Sequence, residues 1–240
     1  MIEKEYNASW CRIHWTRCIK DTMIEKEYNG VHYNYQHLFR VRLFRKKMFY
    51  AKINYKKRDD YMKILIVSDS HMYNNNLKKI IKIYKSKVDL MIHCGDSSLP
   101  QNDPLINNFD IVVKGNHDEA DYPLFVKKEH ICVTHGHKYQ VYKGYQDLIE
   151  LCKTIDCQIC LHGHTHVPTV QNINGITFIN PGSLMMNRGS YGYGTYAILT
   201  IEDNNLHTTF YNIETLQKCD SYILKEGLEL LEEFKKLVIK

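Results

Sequence analysis

The chain has 240 residues, of which 44% are hydrophobic and 25% charged, and its formal net charge is +5. Such a length and apolar content suit one compact α/β body with a sizeable core. No apolar run approaches the roughly 18 residues that a membrane span needs, and the opening Met1-Ile2-Glu3-Lys4-Glu5 mixes charges without an apolar stretch behind it, so neither a transmembrane segment nor a signal peptide is expected.

Residues 1–61 stand apart in composition. They hold 14 of the 32 Lys and Arg and 7 of the 27 Asp and Glu, a balance of +7, which leaves the remainder at −2. The heptapeptide Met1–Asn7 recurs letter for letter as Met23–Asn29; two short copies do not make a solenoid. Arg40-Val41-Arg42-Leu43-Phe44-Arg45-Lys46-Lys47 interleaves basic and apolar residues. It is the one place where contact with nucleic acid or an anionic membrane is expected. The plainer expectation is that Met62 is the natural start, so that 1–61 is a basic extension, disordered or not native, and 62–240 is the domain.

From Met62 the pattern is βαβ. Lys63–Val67 reads as a buried strand, and Asn74–Lys87 as a helix with Leu77, Ile80, Ile81 and Tyr84 among its lysines. Val88–His93, Ile111–Val113 and Ile131–Val133 read as strands, Tyr142–Thr154 as a helix with Tyr145, Leu148, Ile149 and Cys152 on one face, and Ile159–Leu161 as a further strand. Beyond Gly163 the texture turns to β at Thr169–Val170, Ile176–Ile179, Tyr196–Thr200 and His207–Tyr211. The order predicts a sheet with helices outside it, completed by an antiparallel second sheet. Asp220–Lys240 is an amphipathic helix whose Leu224, Leu228, Leu231 and Phe234 form a stripe. That stripe is expected to dock on its own domain rather than to build a homo-oligomer. Cys94, Cys132 and Cys160 lie inside apolar runs, where free thiols behave as small hydrophobes. Cys157-x-x-Cys160 has no second pair at zinc spacing. Unpaired cysteines without an export signal point to a reducing cytoplasm.

Five short motifs follow these runs: Asp69-Ser70-His71, Gly95-Asp96, Gly115-Asn116-His117-Asp118, Thr134-His135-Gly136-His137 and Gly163-His164-Thr165-His166. Each falls where a strand ends, the place at which open α/β sheets collect ligands. Carboxylates, an amide and imidazoles suit hard or borderline divalent cations, and two such ions together hydrolyse phosphoesters. In Asp69-x-His71 the two side chains of an extended segment point the same way, so one ion can take both; His164-x-His166 repeats that geometry at a second strand end.

The order D-x-H, G-D, G-N-H-D, H-G-H, G-H-x-H resembles the calcineurin-like metallophosphoesterases, and within them the small YfcE-type phosphodiesterases. The similarity runs from residue 62 to about 212 and includes Asn180-Pro181-Gly182-Ser183. It implies a two-sheet β-sandwich flanked by helices, with one ion on Asp69, His71, Asp96 and His166. The other ion would lie on Asp96, Asn116, His135 and His164, Asp96 being shared. The cofactors implied are two divalent ions, Mn²⁺ foremost, with Mg²⁺, Zn²⁺, Co²⁺ or Ni²⁺ as alternatives. Gly95-Asp96-Ser97-Ser98-Leu99 departs from the longer G-D-x-V-D-R-G segment of protein phosphatases, and Arg188 is the only Arg after Met62. Many YfcE-type members carry Cys where this chain has His117.

The expected function is therefore phosphodiester hydrolysis of a small phosphoester or nucleotide. A hydroxide between the ions attacks phosphorus and His117 protonates the leaving oxygen. Arg188 and His137 are candidates for gripping phosphate, and Tyr139 for stacking on the leaving group or packing in the core. The alternatives are a phosphomonoesterase on small substrates and a non-catalytic scaffold like the retromer subunit of this fold.

Overall fold

The structure is a computed structural model. It describes residues 61–189, 192–203 and 205–238, together with a two-residue strand pair, Glu27–Tyr28 against Val31–His32. The basic segment Arg40–Lys47 and the repeated heptapeptides' remaining residues lie outside the described residues. Chain contacts separate residues 1–58 from 59–240, and only the second unit is considered further.

The strands are β1 (Tyr61–Val67), β2 (Leu90–His93), β3 (Ile111–Val112), β4 (Phe125–Lys128), β5 (Ile131–Thr134), β6 (Ile159–Leu161), β7 (Thr169–Ile173), β8 (Ile176–Asn180), β9 (Thr195–Glu202) and β10 (Asn205–Asn212). The helices are α1 (Asn74–Tyr84), α2 (Gln146–Thr154) and α3 (Asp220–Val238). One sheet has the order β10-β9-β1-β2-β3 and the other β4-β5-β6-β8-β7. Alternation along the strands decides where each side chain goes. Ile64 and Ile66 of β1 face the second sheet's Ile131, Val133, Ile159 and Leu161 in the central core. Leu65 and Val67 face the other way, under Leu77, Ile80 and Ile81 of α1. The second sheet repeats this arrangement, with Cys132, Cys160 and Phe178 beneath Leu148, Ile149 and Cys152 of α2. Strands covered on both faces have no polar side to show, so their sequences read as unbroken apolar runs.

Two expectations need correction. The sheets do not divide into a parallel one and an antiparallel one; each is mixed. β1, β2 and β3 run parallel, and the β9–β10 hairpin then adds antiparallel to the open edge of β1, with Leu199 opposite Ile64 and Ala197 opposite Ile66. A free edge of apolar strand would invite intermolecular pairing, and the late hairpin closes it. In the second sheet, parallel β5, β6 and β8 are flanked by antiparallel β4 and β7. The helix expected from Tyr142 begins at Gln146, because Gly144 turns the chain with φ +126°. Strand β4 escapes sequence patterning. Its Phe-Val-Lys-Lys is an exposed edge with only Val126 packed against the core.

The six described cysteines are free. Cys132 and Cys160 are opposite one another on parallel β5 and β6, and Cys152 comes down from α2. Their sulfurs lie within 4.8 Å of one another. Hydrogen bonds with Cys132 and Cys152, together with burial, push the Cys160 thiol up. Cys157 stands outside that trio. Tyr139 packs at the edge of the same cluster. Among the described residues no helix is long and apolar enough to cross a membrane.

Helix α3 docks on its own domain, but along a different line from the expected stripe. Ile223, Gly227 and Leu231 are buried while Leu228 is exposed. Leu224 packs at the edge of the core, and the Phe234 ring meets Tyr142 edge-on at 5.5 Å. The glycine explains the rotation. A Cβ at Gly227 would lie 2.6 Å from the Pro168 carbonyl oxygen, so only glycine lets the helix come this close. Gly227→Ala therefore sets two effects against each other. Alanine gains about 1 kcal/mol of helix propensity, whereas overpacking against fixed backbone costs about 1–3 kcal/mol. A net loss of about 1 kcal/mol is expected in denaturant titration, and a gain would show that the helix does not press on this backbone.

Candidate metal centre

The motif loops leave the C-terminal ends of strands in both sheets. Asp69, Asp96 and Asn116 follow β1, β2 and β3; His135 and His164 follow β5 and β6. The loops are laced by backbone hydrogen bonds, Asp69 N–H to the Gly95 carbonyl (2.9 Å), His71 N–H to the Asp96 carbonyl (3.0 Å) and Gly163 N–H to the His135 carbonyl (3.1 Å). The His164 N–H donates across to Asp69 Oδ2 (3.1 Å), so loops of the two sheets meet at the site.

Asp69 and His71 do not converge by strand alternation, as their spacing suggested. β1 ends at Val67, and Asp69 and His71 have φ of +52° and +45°. Asp96 (+56°), His164 (+70°) and His166 (+55°) are also left-handed. Left-handed backbone is uncommon outside glycine, though Asp, Asn and His tolerate it best. Sharp turns at the strand ends, rather than extended chain, bring these side chains together.

Convergence is tight. Asp69 Oδ1 is 3.1 Å from His166 Nε2, 3.8 Å from His135 Nε2 and 4.0 Å from His71 Nε2. His71 Nε2 and His166 Nε2 are 3.2 Å apart, Asp96 Oδ2 is 3.3 Å from His135 Nε2, and Asn116 Oδ1 is 3.2 Å from the same nitrogen. The His164 ring packs edge-on against His135 at 5.1 Å, and its backbone N–H donates to Asp69 Oδ2. Two donor groups result, Asp69–His71–His166 and Asp69–Asp96–His135. Asp69 falls in both.

The electrostatics of this cluster suit a cation. Asp69 is fully buried, yet its Oδ1 accepts no well-aligned hydrogen bond. A buried acceptor left without a donor is costly, and a divalent ion would satisfy it together with the imidazole lone pairs around it. Burial alone would raise the Asp69 carboxyl, but His135 and His166 outweigh it and hold the group well below the usual range. Burial likewise opposes a charge on His135, and Asp69 and Asp96 outweigh it, so that its pKa rises. His164 is pushed down to about 4, chiefly by burial and then by His135. It is neutral near pH 7, the form in which imidazole binds metal.

Several supporting residues escaped the sequence reading. Buried Asp118 accepts from the backbone N–H of Asp96 (2.8 Å), Gly115 (2.8 Å) and Ser98 (2.7 Å) and from the Ser97 hydroxyl (3.1 Å), clamping two ligand loops together. His93 shares a 3.0 Å hydrogen bond with Ser70. Ser183 Oγ donates to the Asp69 carbonyl, and Asn180 Nδ2 to the Gly163 carbonyl. Asp118 was visible in its motif, but nothing in a linear text reveals that a carboxylate accepts from four donors. Gly115 and Gly163 are required by space. A Cβ on Gly115 would collide with Asp96 Oδ1, and one on Gly163 with Ser68 Oγ and Asp69 Oδ2.

The remaining candidates lie around the cluster. His117 is exposed; its ring centroid is 5.2 Å from that of His71, and its backbone N–H donates to Asp96 Oδ1 (2.7 Å). His137 lies beside His135, with ring centroids 5.4 Å apart. The exposed Arg188 places its guanidinium 5.8 Å from the centre of the Tyr142 ring, and the Tyr142 hydroxyl donates to the His164 carbonyl.

Comparison with known proteins agrees with this geometry. Residues 62–204 match the model of the calcineurin-like phosphoesterase superfamily domain. The chain is 35% identical over 166 residues to "Probable metallophosphoesterase YsnB" of Bacillus subtilis, covering 65% of this chain and 97% of that protein. It is 28% identical over 146 residues to "Phosphodiesterase MJ0936" of Methanocaldococcus jannaschii, covering 50% and 83%. A Streptococcus pneumoniae structure described as a predicted phosphoesterase superposes with TM-score 0.60 at 34% identity, over 64% of this chain and 91% of that one. The Vacuolar Protein Sorting 29 structure of Cryptosporidium parvum, at 19% identity and TM-score 0.55, covers 67% and 96% and shares the fold. With the family's domain matched across residues 62–204 and its strand-end motifs drawn into one cluster, the chain belongs to the calcineurin-like phosphoesterase superfamily.

Proposed function

We propose that the protein is a dinuclear metal-dependent phosphodiesterase. The observation that carries this reading is the buried Asp69 Oδ1 facing several imidazole nitrogens without a well-aligned donor. Asp69, His71, Asp96 and His166 would hold one ion and Asp96, Asn116, His135 and His164 the other. The family resemblance gives Asp96 the shared role; Asp96 Oδ2 lies 3.3 Å from His135 Nε2, while Asp69 is the carboxylate common to both donor groups. Mn²⁺ is the first choice; Mg²⁺, Zn²⁺, Co²⁺ and Ni²⁺ accept the same donors. When bound, such a pair supplies a water of lowered pKa and neutralises charge on the phosphoryl oxygens.

The protein's own groups do the rest. The Asp118 clamp and the Asp69–Gly95 backbone bond hold the donors in place before substrate arrives, which is what electrostatic preorganisation requires. His117, beside His71 but outside the donor set, is free to give a proton to the departing oxygen. Arg188, over Tyr142, and His137, beside His135, would meet substrate oxygens. The diester assignment draws support from the likeness to a protein named phosphodiesterase. A monoesterase would use the same donors. The scaffold reading rests on fold likeness to Vacuolar Protein Sorting 29 alone, and the complete donor set favours an enzyme.

Chelation should abolish hydrolysis of bis-nitrophenyl phosphate, and divalent metal should restore it. Asp96→Asn should lose both ions, while His71→Ala keeps about one. The activity loss in Asp96→Asn should exceed the roughly 10–100-fold that residues merely supporting ligands cost. Metal analysis and rates on the same samples test this; equal losses in the two variants would refute the sharing of Asp96, and full activity in metal-free protein would refute the whole reading.

His117→Ala should slow a diester with an alkyl leaving group by about 10²–10⁴-fold. It should barely slow one with nitrophenolate, which departs without a proton. Steady-state rates on both substrates at unchanged metal content decide the matter: a uniform loss would make His117 a positioning residue.

A further inference from the structure

Beside the Asn116 edge of the donor cluster lies a pocket of about 490 Å³. It is lined by Lys114, Gly115 and Asn116, which follow β3, by His137 and Lys138, and by Tyr122 and Leu124. The frame is fixed. The Lys114 N–H donates to the Pro123 carbonyl at 2.8 Å, and the Tyr122 hydroxyl to the Leu99 carbonyl at 3.0 Å. The Asn116 amide oxygen, 3.2 Å from His135 Nε2, joins the pocket to the donor cluster.

Residues 62–240 carry a balance of −2, yet Lys114 and Lys138 both line the pocket, and neither takes part in an ion pair among the described residues. Of the two acids in the lining, Asp118 keeps its charge but turns its carboxylate onto four donors, three of them backbone N–H groups. The lining therefore sets two lysines against two acids, of which Asp118 is committed to those donors. A volume within the range for small-molecule sites is more than one phosphate fills. A lysine ammonium is a compact charge suited to phosphate oxygens.

We propose that this pocket receives a second phosphate of the substrate, on the part of the molecule that extends past Asn116, with Lys114 and Lys138 as its partners. The substrate class is then a phosphodiester that bears an additional phosphomonoester, such as a phosphorylated dinucleotide. This rests on the phosphoesterase reading of the adjoining donor cluster.

The test compares thymidylyl-thymidine with the same dinucleotide carrying a terminal phosphate at its 5′ or its 3′ end. Metal-loaded protein should show kcat/KM about five- to tenfold higher for one of the phosphorylated forms, expressed in KM, as two partly exposed charge pairs supply. The advantage should shrink as salt rises. In Lys114→Gln/Lys138→Gln the ratio between the two substrates should fall towards one. Calorimetry of the same ligands with metal-stripped protein reads the pocket without turnover and should give the same ratio and the same loss. Equal binding of all forms by the wild type, or an unchanged ratio in the double variant, overturns the proposal. Cleavage of every form with no preference leaves the diesterase reading standing and removes the pocket's role. Preferential binding without any cleavage does the reverse.

Discussion

Everything in this molecule is arranged around an electrostatic conflict. Two carboxylates, one amide and several imidazoles, brought from five strand ends, point at one small volume, and the central oxygen, Asp69 Oδ1, is buried without a well-aligned donor. Left alone, such an array is unfavourable: the carboxylates repel one another and the acceptor has lost its water. The protein moderates the conflict by raising His135 while lowering Asp69, a compromise struck between burial and the neighbouring charges. A cation resolves it outright. Binding that requires the folded arrangement also stabilises it, by an amount that grows with metal concentration. Because the donors come from both sheets, the site and the closure of the sandwich are one equilibrium.

The geometry that makes the conflict is enforced by backbone. Five candidate ligands adopt left-handed φ values, each of which is unfavourable for a residue with a Cβ. They persist because the loops are tied from several directions: Asp118 gathers the Asp96 and Gly115 turns, Ser183 holds the Asp69 carbonyl, and Asn180 holds Gly163. The chain after β8 therefore contributes to the site without supplying a donor. This accounts for Asn180-Pro181-Gly182-Ser183: the Asn180 side chain accepts from the Gly182 N–H while donating to the Gly163 carbonyl and to the Thr165 hydroxyl.

Much of this could be read from the sequence, for identifiable reasons. Strands buried on both faces declare themselves as apolar runs, and α1 and α2 show their buried faces by spacing. The candidate donors could be picked out because the chemistry admits few residue types. What failed to appear was anything dependent on three-dimensional partners. The edge strand β4 has too little apolar pattern, the hairpin's choice of sheet depends on which edge lies open, and α3 turned on a glycine that patterning counts as neutral. Strand alternation predicts that Asp69 and His71 converge in extended chain; Asp69 Oδ1 and His71 Nε2 lie 4.0 Å apart through left-handed turns instead. The i, i+2 spacing permits convergence either in extended chain or in a left-handed turn, and periodicity cannot tell them apart.

The histidines show how burial prepares the centre. His93 and His162, fully enclosed behind the ligand loops, are held down to about 4, chiefly by burial, and so is His164 within the cluster. None of the three needs to release a proton near neutral pH before a cation arrives. His135 differs because Asp69 and Asp96 bid for its proton, and there metal must displace a proton that the carboxylates favour. Acid therefore acts against this site twice. Lowering pH restores positive charge to His135, and below the ordinary histidine range it favours unfolded chain, in which the buried imidazoles can protonate. The stability contributed by neutral His93 and His162 is fully present above about 6.5 and is lost as pH falls towards 4. Metal affinity should fall on the acid side through His135, whose proton competes with the cation, and fold stability through His93 and His162, which protonate more readily in the unfolded chain.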